Sequence, residues 1–316
     1  MVPDNFSGQS SLKFFAGGAL IKTIAPNDFN EFMKGRHETG DVGFIVDDSM
    51  IPGLADIDDL EVRDASSNVL VYRRTQEPTL ARNIFRLGTH ILPLWRLDKA
   101  LKPKFRFWYD RIDQYSAETA RNILSFHAYG SLYSSGRILY SNFDYYLYKH
   151  QKKVIVMQDP YEELAERLLV FNRLAPDENR LLNDRDATIF APIIQVSRKL
   201  KTFDEAEFRS ILGKTPPGDL VALSNPLTRQ LTTATPDQLV TRGGVKTALT
   251  KLSEFDVVGT RETPSLFFDA LEEILGIAPL ELNSAPTPPK VKQVARSLRA
   301  VRWLEGLIEV DLEVYA

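Results

Sequence analysis

Residues 151–171, QKKVIVMQDPYEELAERLLVF, hold the pattern best suited to chemistry in this chain. Val154-Ile155-Val156 is a β-branched run that reads as a buried strand. Asp159-Pro160 stops that strand and starts a helix, because proline fits the first helical position. Leu164, Leu168 and Phe171 then recur at helical spacing. A helix N-terminus at the carboxyl end of a buried strand points free N–H groups at an incoming anion, so this turn suits a phosphate. Glu162, Glu163 and Glu166, in the first turns of the same helix, would repel one.

A second chemical stretch covers 99–111, KALKPKFRFWYDR. It sets Lys99, Lys102, Lys104, Arg106 and Arg111 among Phe105, Phe107, Trp108 and Tyr109. Aromatic faces stack on sugar or base rings, and cations pair with acidic glycans or phosphates. The same alternation describes an amphipathic strand with aromatics inward and cations outward. Arg296, Arg299 and Arg302, three apart, form either a basic binding stripe or a solvated helix face. The four histidines are dispersed without metal-ligand spacing, so no metal is expected.

The elements that must position these residues follow from the pattern along the chain. The 316 residues and a 43% apolar fraction allow one large α/β domain or two smaller ones without staples. The absence of cysteine excludes disulfides and thiolate chemistry. A net charge of −3 removes the bulk electrostatic case for nucleic acid. The apolar run Phe14–Ile21 is short for a signal segment and reads as a strand or loop, which leaves a cytoplasmic location and no membrane span as the expectation. Residues 1–65 read as an N-terminal extension packed on a main domain of 66–316. A strand is expected near 68–72, then a helix through Ile84, Leu87 and Ile91, with Pro78 in its first turn. Ser116 caps a helix over 116–125. Residues 177–215 look helical and polar, and 214–245, rich in Thr, Pro and Gly, read as a surface loop or lid. Helices over 246–253 and 264–275 flank a strand at 255–259, and a last helix runs from Val291 to Leu312. Strands alternating with helices predict an α/β fold whose central parallel sheet is covered on both faces.

Four segments in this order resemble the nucleotide-dependent carbohydrate sulfotransferases, in particular the branch of the heparan sulfate 2-O-sulfotransferases and their bacterial relatives. They are LVYRRTQEPT at 70–79, SFHAYG at 125–130 with VIVMQDPYEEL at 154–164, SNPLTRQL at 224–231 with FDVVGTRE at 255–262, and the chain end LEGLIEVDLEVYA. The resemblance implies a P-loop-like three-layer α/β domain. It implies 3′-phosphoadenosine 5′-phosphosulfate as donor and a hydroxyl of a glycan or another acceptor as the nucleophile. A base takes the hydroxyl proton while cations hold the phosphates, as in phosphoryl transfer.

Carried onto this chain, the resemblance makes His127 the base. It places Arg73, Arg74, Thr75 and Thr79 at the 5′-phosphosulfate, Gln158 at the 3′-phosphate, and Arg229 and Lys290 over the nucleotide. This chain departs from the family at those corners. Arg74 replaces a lysine, Gln76 and Glu77 replace small residues, Gln158 replaces an arginine, and Glu166 replaces a serine. Three readings stay open: a sulfotransferase, a fold that has lost the chemistry and serves as a binding or scaffold protein, and a changed donor without the 3′-phosphate.

Overall fold

The structure is a computed structural model that describes residues 10–31, 40–125, 130–147, 151–174, 181–280, 282 and 287–316. In chain order the elements are β1 (Leu12–Ala16), β2 (Ala19–Ile24), β3 (Asp28–Phe29), β4 (Asp41–Gly43), β5 (Leu60–Asp64), β6 (Leu70–Arg74), β7 (Asn83–Leu87), α1 (Trp95–Leu101), β8 (Phe107–Tyr109), α2 (Ala117–Ser125), β9 (Leu132–Gly136), α3 (Asp144–Leu147), β10 (Lys152–Met157), α4 (Pro160–Arg173), α5 (Asp184–Ser197), α6 (Glu205–Ile211), α7 (Pro217–Leu220), α8 (Pro226–Thr232), α9 (Gly244–Leu252), β11 (Val257–Thr260), α10 (Pro264–Leu275), α11 (Pro289–Arg299) and α12 (Glu305–Tyr315). The chain divides into two compact units. One comprises 1–83, 101–110 and 115–133; the other comprises 84–100, 111–114 and 134–316.

In the first unit, β2-β1-β5-β6 form an antiparallel sheet. The expected strand or loop at Phe14–Ile21 is the β1–β2 hairpin, turned at Gly17 and Gly18 with φ of 54° and 81°, which glycine adopts without steric cost. Phe14, Ile24, Ile51, Leu60 and Val62 form the unit's small apolar core. Phe105, Phe107 and Tyr109 are buried while Arg106 between them is exposed. Phe105, Phe107 and Tyr109 thus turn inward, while Trp108 is half-buried and carries Arg63 and Arg73 over its ring.

The α/β fold is the expected one: a five-stranded parallel sheet, in the order β11-β10-β7-β9-β8, flanked by helices. β10 pairs in parallel with β7 (Lys152 opposite Ile84, Ile155 opposite Leu87) and with β11 (Val154 opposite Val257, Met157 opposite Thr260). Central parallel strands are covered on both faces, so they read as continuous apolar runs; Ile84, Phe85, Val154 and Ile155 are fully buried. In the second unit, Leu164, Leu168 and Phe171 on one face of α4 pack with Phe190 and Ile193 of α5, Leu298 of α11 and Ile308 of α12. Each such side chain contributes about 1.5–3 kcal/mol by leaving water.

Three expectations are corrected. Residues 84–87 form strand β7, not a helix. Ile84, Leu87 and Ile91 match helical spacing, but Gly88 ends a run of only five residues, and strand pairing takes it. Residues 214–245 are not a surface loop throughout. They contain α7 and α8, and Pro226 to Leu231 of α8 are all buried. The last helix is two helices, α11 and α12, separated by a short 3-10 turn at Arg302–Leu304.

Candidate functional site

Ligands of open parallel sheets bind in the crevice beyond the carboxyl ends of the strands. In the second unit three turns meet there: Gly88-Thr89-His90 after β7, Gln158-Asp159 after β10 and Arg261-Glu262 after β11. The Thr89 hydroxyl donates to the Val156 carbonyl at 2.7 Å, and Arg261 N donates to the Met157 carbonyl at 2.9 Å, which ties the turns to β10. Gly88 N donates to the Gly136 carbonyl at 2.9 Å. A Cβ on Gly136 would lie 2.7 Å from the Ile112 side chain, so only glycine fits this close approach.

The N-terminus of α4 has the expected strand-to-helix geometry, and the chain fills it with its own acid. The Asp159 carboxylate accepts from Tyr161 N and Glu162 N, each at 3.0 Å, and pairs with Arg299 at 2.6 Å. Two of the acidic residues that would repel a phosphate are neutralised from within. Glu163 lies between the Arg167 guanidinium (2.6 Å) and His90 Nδ1 (3.3 Å). Burial opposes its ionisation, but Arg167 and His90 outweigh burial and hold its carboxyl well below the usual range. Glu166 accepts from Arg261 at 2.7 Å, and the same nitrogen donates to Gln158 Oε1 at 2.8 Å. An arginine from β11's turn thus stands where the sequence pattern leaves room for a phosphate.

Next to this closed corner lies a cavity of about 50 Å³ lined by four guanidiniums, those of Arg137, Arg167, Arg185 and Arg229. That volume takes a few waters or one small oxyanion. Arg137 and Arg185 both grip Asp186, Arg185 at 2.9 Å. Burial works against the Asp186 charge, and the two guanidiniums outweigh it, so its carboxyl is held low. Arg229 differs. It is 7% exposed, donates to the Val221 carbonyl and at 2.7 Å to the Ser224 hydroxyl, and has no carboxylate at ion-pair distance among the described residues. Burial first, and then Arg167, push its guanidinium down to about 10, against the opposing pull of Asp311. Arg229 Nε and Arg137 Nη1 are buried without hydrogen-bond partners. A buried cation with no carboxylate at ion-pair distance among the described residues fits an oxyanion.

Helix α8 holds Arg229 in place from two sides. The Asp311 carboxylate of α12 accepts from Leu227 N at 2.9 Å and Thr228 N at 2.8 Å, capping α8. Asn225, with φ of 41°, turns its side-chain oxygen back to Val310 N and Asp311 N at 3.0 and 3.1 Å. Asp311 is fully buried, and burial raises its carboxyl above the usual range.

The structure brings Gln158 and Arg229 to this crevice. The roles expected of Arg73, Arg74, Thr75 and Thr79 lose their geometric basis. These residues lie in or just after β6 of the antiparallel sheet, no helix follows them, and the parallel partner of β10 is β7. Arg73 donates to the Phe105 carbonyl at 3.0 Å, and Arg74 donates to the carbonyls of Ala55 and Leu54 at 3.0 and 2.5 Å. Lys290, in the first turn of α11, places its ammonium 5.9 Å from the Phe203 ring centre. His127 lies outside the described residues. The sequence reading missed Thr89, His90, Arg137, Arg185 and Arg261. Its available signal was Gly88-Thr89 directly after the apolar run Ile84–Leu87.

No family model, no curated protein and no solved structure matches this chain.

Proposed function

We propose that this chain is a sulfotransferase-like binding protein that captures a small oxyanion, or the oxyanion group of a larger ligand, in the arginine-lined cavity without transferring a sulfuryl group. The observation that carries this reading is Arg229, a buried guanidinium with no carboxylate at ion-pair distance among the described residues, in the lining of a cavity that three further arginines share. Against transfer stands the α4 N-terminus. Asp159 takes its free N–H groups, and Arg261 spends itself on Gln158 and Glu166 rather than on a donor's 3′-phosphate. A charge-assisted bond to phosphate contributes about 1.5–3 kcal/mol, so a donor deprived of two such bonds binds orders of magnitude more weakly.

Calorimetry with inorganic phosphate and with 3′,5′-adenosine bisphosphate, at fixed ionic strength, tests the reading. The expected result is millimolar binding of phosphate, with the bisphosphate no tighter. Micromolar binding of the bisphosphate would overturn it.

One observation favours active transfer as a second reading. Thr89 and His90 follow a strand that is the parallel neighbour of the one ending in Gln158-Asp159, the place that the sulfotransferase resemblance gave to the strand at 70–74. On that reading 3′-phosphoadenosine 5′-phosphosulfate is the donor, a glycan hydroxyl the acceptor and His127 the base. Formation of a sulfated glycan in the presence of donor, lost in His127→Ala, would establish it.

A further inference from the structure

The largest cavity among those described, about 210 Å³, lies elsewhere in the second unit, at the carboxyl ends of β10 and β11 beneath α10 and the start of α1. Its lining has two components. Trp95, Phe267 and Phe268, together with Pro93 and Pro264, supply flat, rigid apolar surface. Arg96 and Arg261 supply positive charge, and among the described residues no carboxylate lines the cavity.

These components differ in how far their needs are met within the chain. Arg261 Nη1 is bound to Gln158 and Glu166. Arg96 is exposed and has no acidic partner among the described residues. Trp95 leaves 55% of its surface open to solvent, which is costly for a ring of that size unless something covers it. The Phe267 and Phe268 rings meet edge to face at 5.7 Å, which fixes the wall they form.

We propose that this cavity binds a small monocarboxylate with an aromatic body, the ring lying against Trp95 and the phenylalanines and the carboxylate held by Arg96. The volume argues for one or two fused rings, since it falls short of the about 300 Å³ at which drug-sized sites begin. The rigid aromatic and proline lining suits a flat ring, whose stacking adds to area burial. A guanidinium without an acid partner selects a carboxylate over a neutral head group. This site shares no ligand contact with the arginine-lined cavity, so the proposal stands apart from the reading of Arg229.

The test is calorimetry on the full chain with 1-naphthaleneacetate, its neutral amide, and adenosine as an aromatic ligand without acid. The acid is expected to bind at least tenfold more tightly than the amide and than adenosine. Arg96→Gln should remove that preference and leave amide binding unchanged. Leu94→Trp, which fills the cavity from its half-buried rim, should abolish binding of all three, with a thermal melt confirming that the variant is folded. Equal binding of acid and amide, tighter binding of adenosine, or unaltered binding to a folded Leu94→Trp variant would each overturn the proposal.

Discussion

Two groups of arginines in this molecule look alike in sequence and differ in their partners. Arg73 and Arg74 lie side by side, as a phosphate-binding pair should. Yet Arg73 donates to the Phe105 carbonyl, lies 3.9 Å from Glu61 and stacks 4.6 Å from the Trp108 ring centre, and Arg74 donates to two backbone carbonyls, although the Nε of each is buried without a hydrogen-bond partner. Arg137, Arg167, Arg185 and Arg229 are scattered over some ninety residues, and the fold gathers them around one cavity. There Asp186 and Glu163 pair with three of them, and among the described residues no carboxylate lies at ion-pair distance from Arg229. Adjacency in sequence marks a basic stretch, whereas an unbalanced buried cation marks a site.

Substitutions can break that contrast. The largest effect is expected at Glu163. Replacing it with Ala leaves Arg167 buried and uncompensated, which should cost about 3–5 kcal/mol in urea unfolding. Asp311→Ala removes the acceptor for two buried N–H groups of α8 and should cost about 3 kcal/mol. Any oxyanion response should go with it, because α8 carries Arg229.

The next pair is the sharpest form of the contrast. Arg73→Met should lower stability by about 2 kcal/mol, since it removes a hydrogen bond and a stacked cation. Arg229→Met should stay within about 1 kcal/mol of the parent, since the lost hydrogen bonds are offset by removal of a buried charge. If Arg229→Met proves as damaging as Arg73→Met, Arg229 is a structural residue.

Acid pH probes the same balance. The Glu163 and Asp186 carboxyls are held below their ordinary values in the folded chain. Their contribution is therefore complete above the unfolded value of about 4 and is lost as pH falls through the folded value. The urea midpoint should drop more steeply below about pH 4 in the parent than in Asp186→Asn. The smallest effect is expected at the exposed pair Arg209–Glu205, where Arg209→Ala should cost about 0.3–0.5 kcal/mol.

Much of the architecture was legible because single elements carried complete signals. β10 and α4 were readable from a β-branched run, an Asp-Pro stop and apolar residues at helical spacing. The same holds for α10, which starts at Pro264 and ends at Gly276 in a left-handed conformation. β7 was misread because its five residues satisfy two periodicities at once and only strand pairing decides between them. Helix α8 was hidden in a Thr/Pro/Gly-rich stretch because its stability comes from Asp311 and Asn225 contacts across some eighty-five residues. At the site the sequence singled out Gln158, Asp159, Glu163, Glu166 and Arg229. Arg137, Arg185 and Arg261 acquire meaning from partners that the fold brings together, and no local pattern announces that.

The most direct test of the central claim is thermal unfolding of the parent and Arg229→Met with and without sulfate, at constant ionic strength set by chloride. Acting on a millimolar site, 10 mM sulfate is expected to raise the midpoint of the parent by about 2 °C and to leave Arg229→Met unmoved. Equal shifts in the two proteins, or none in either, would contradict it.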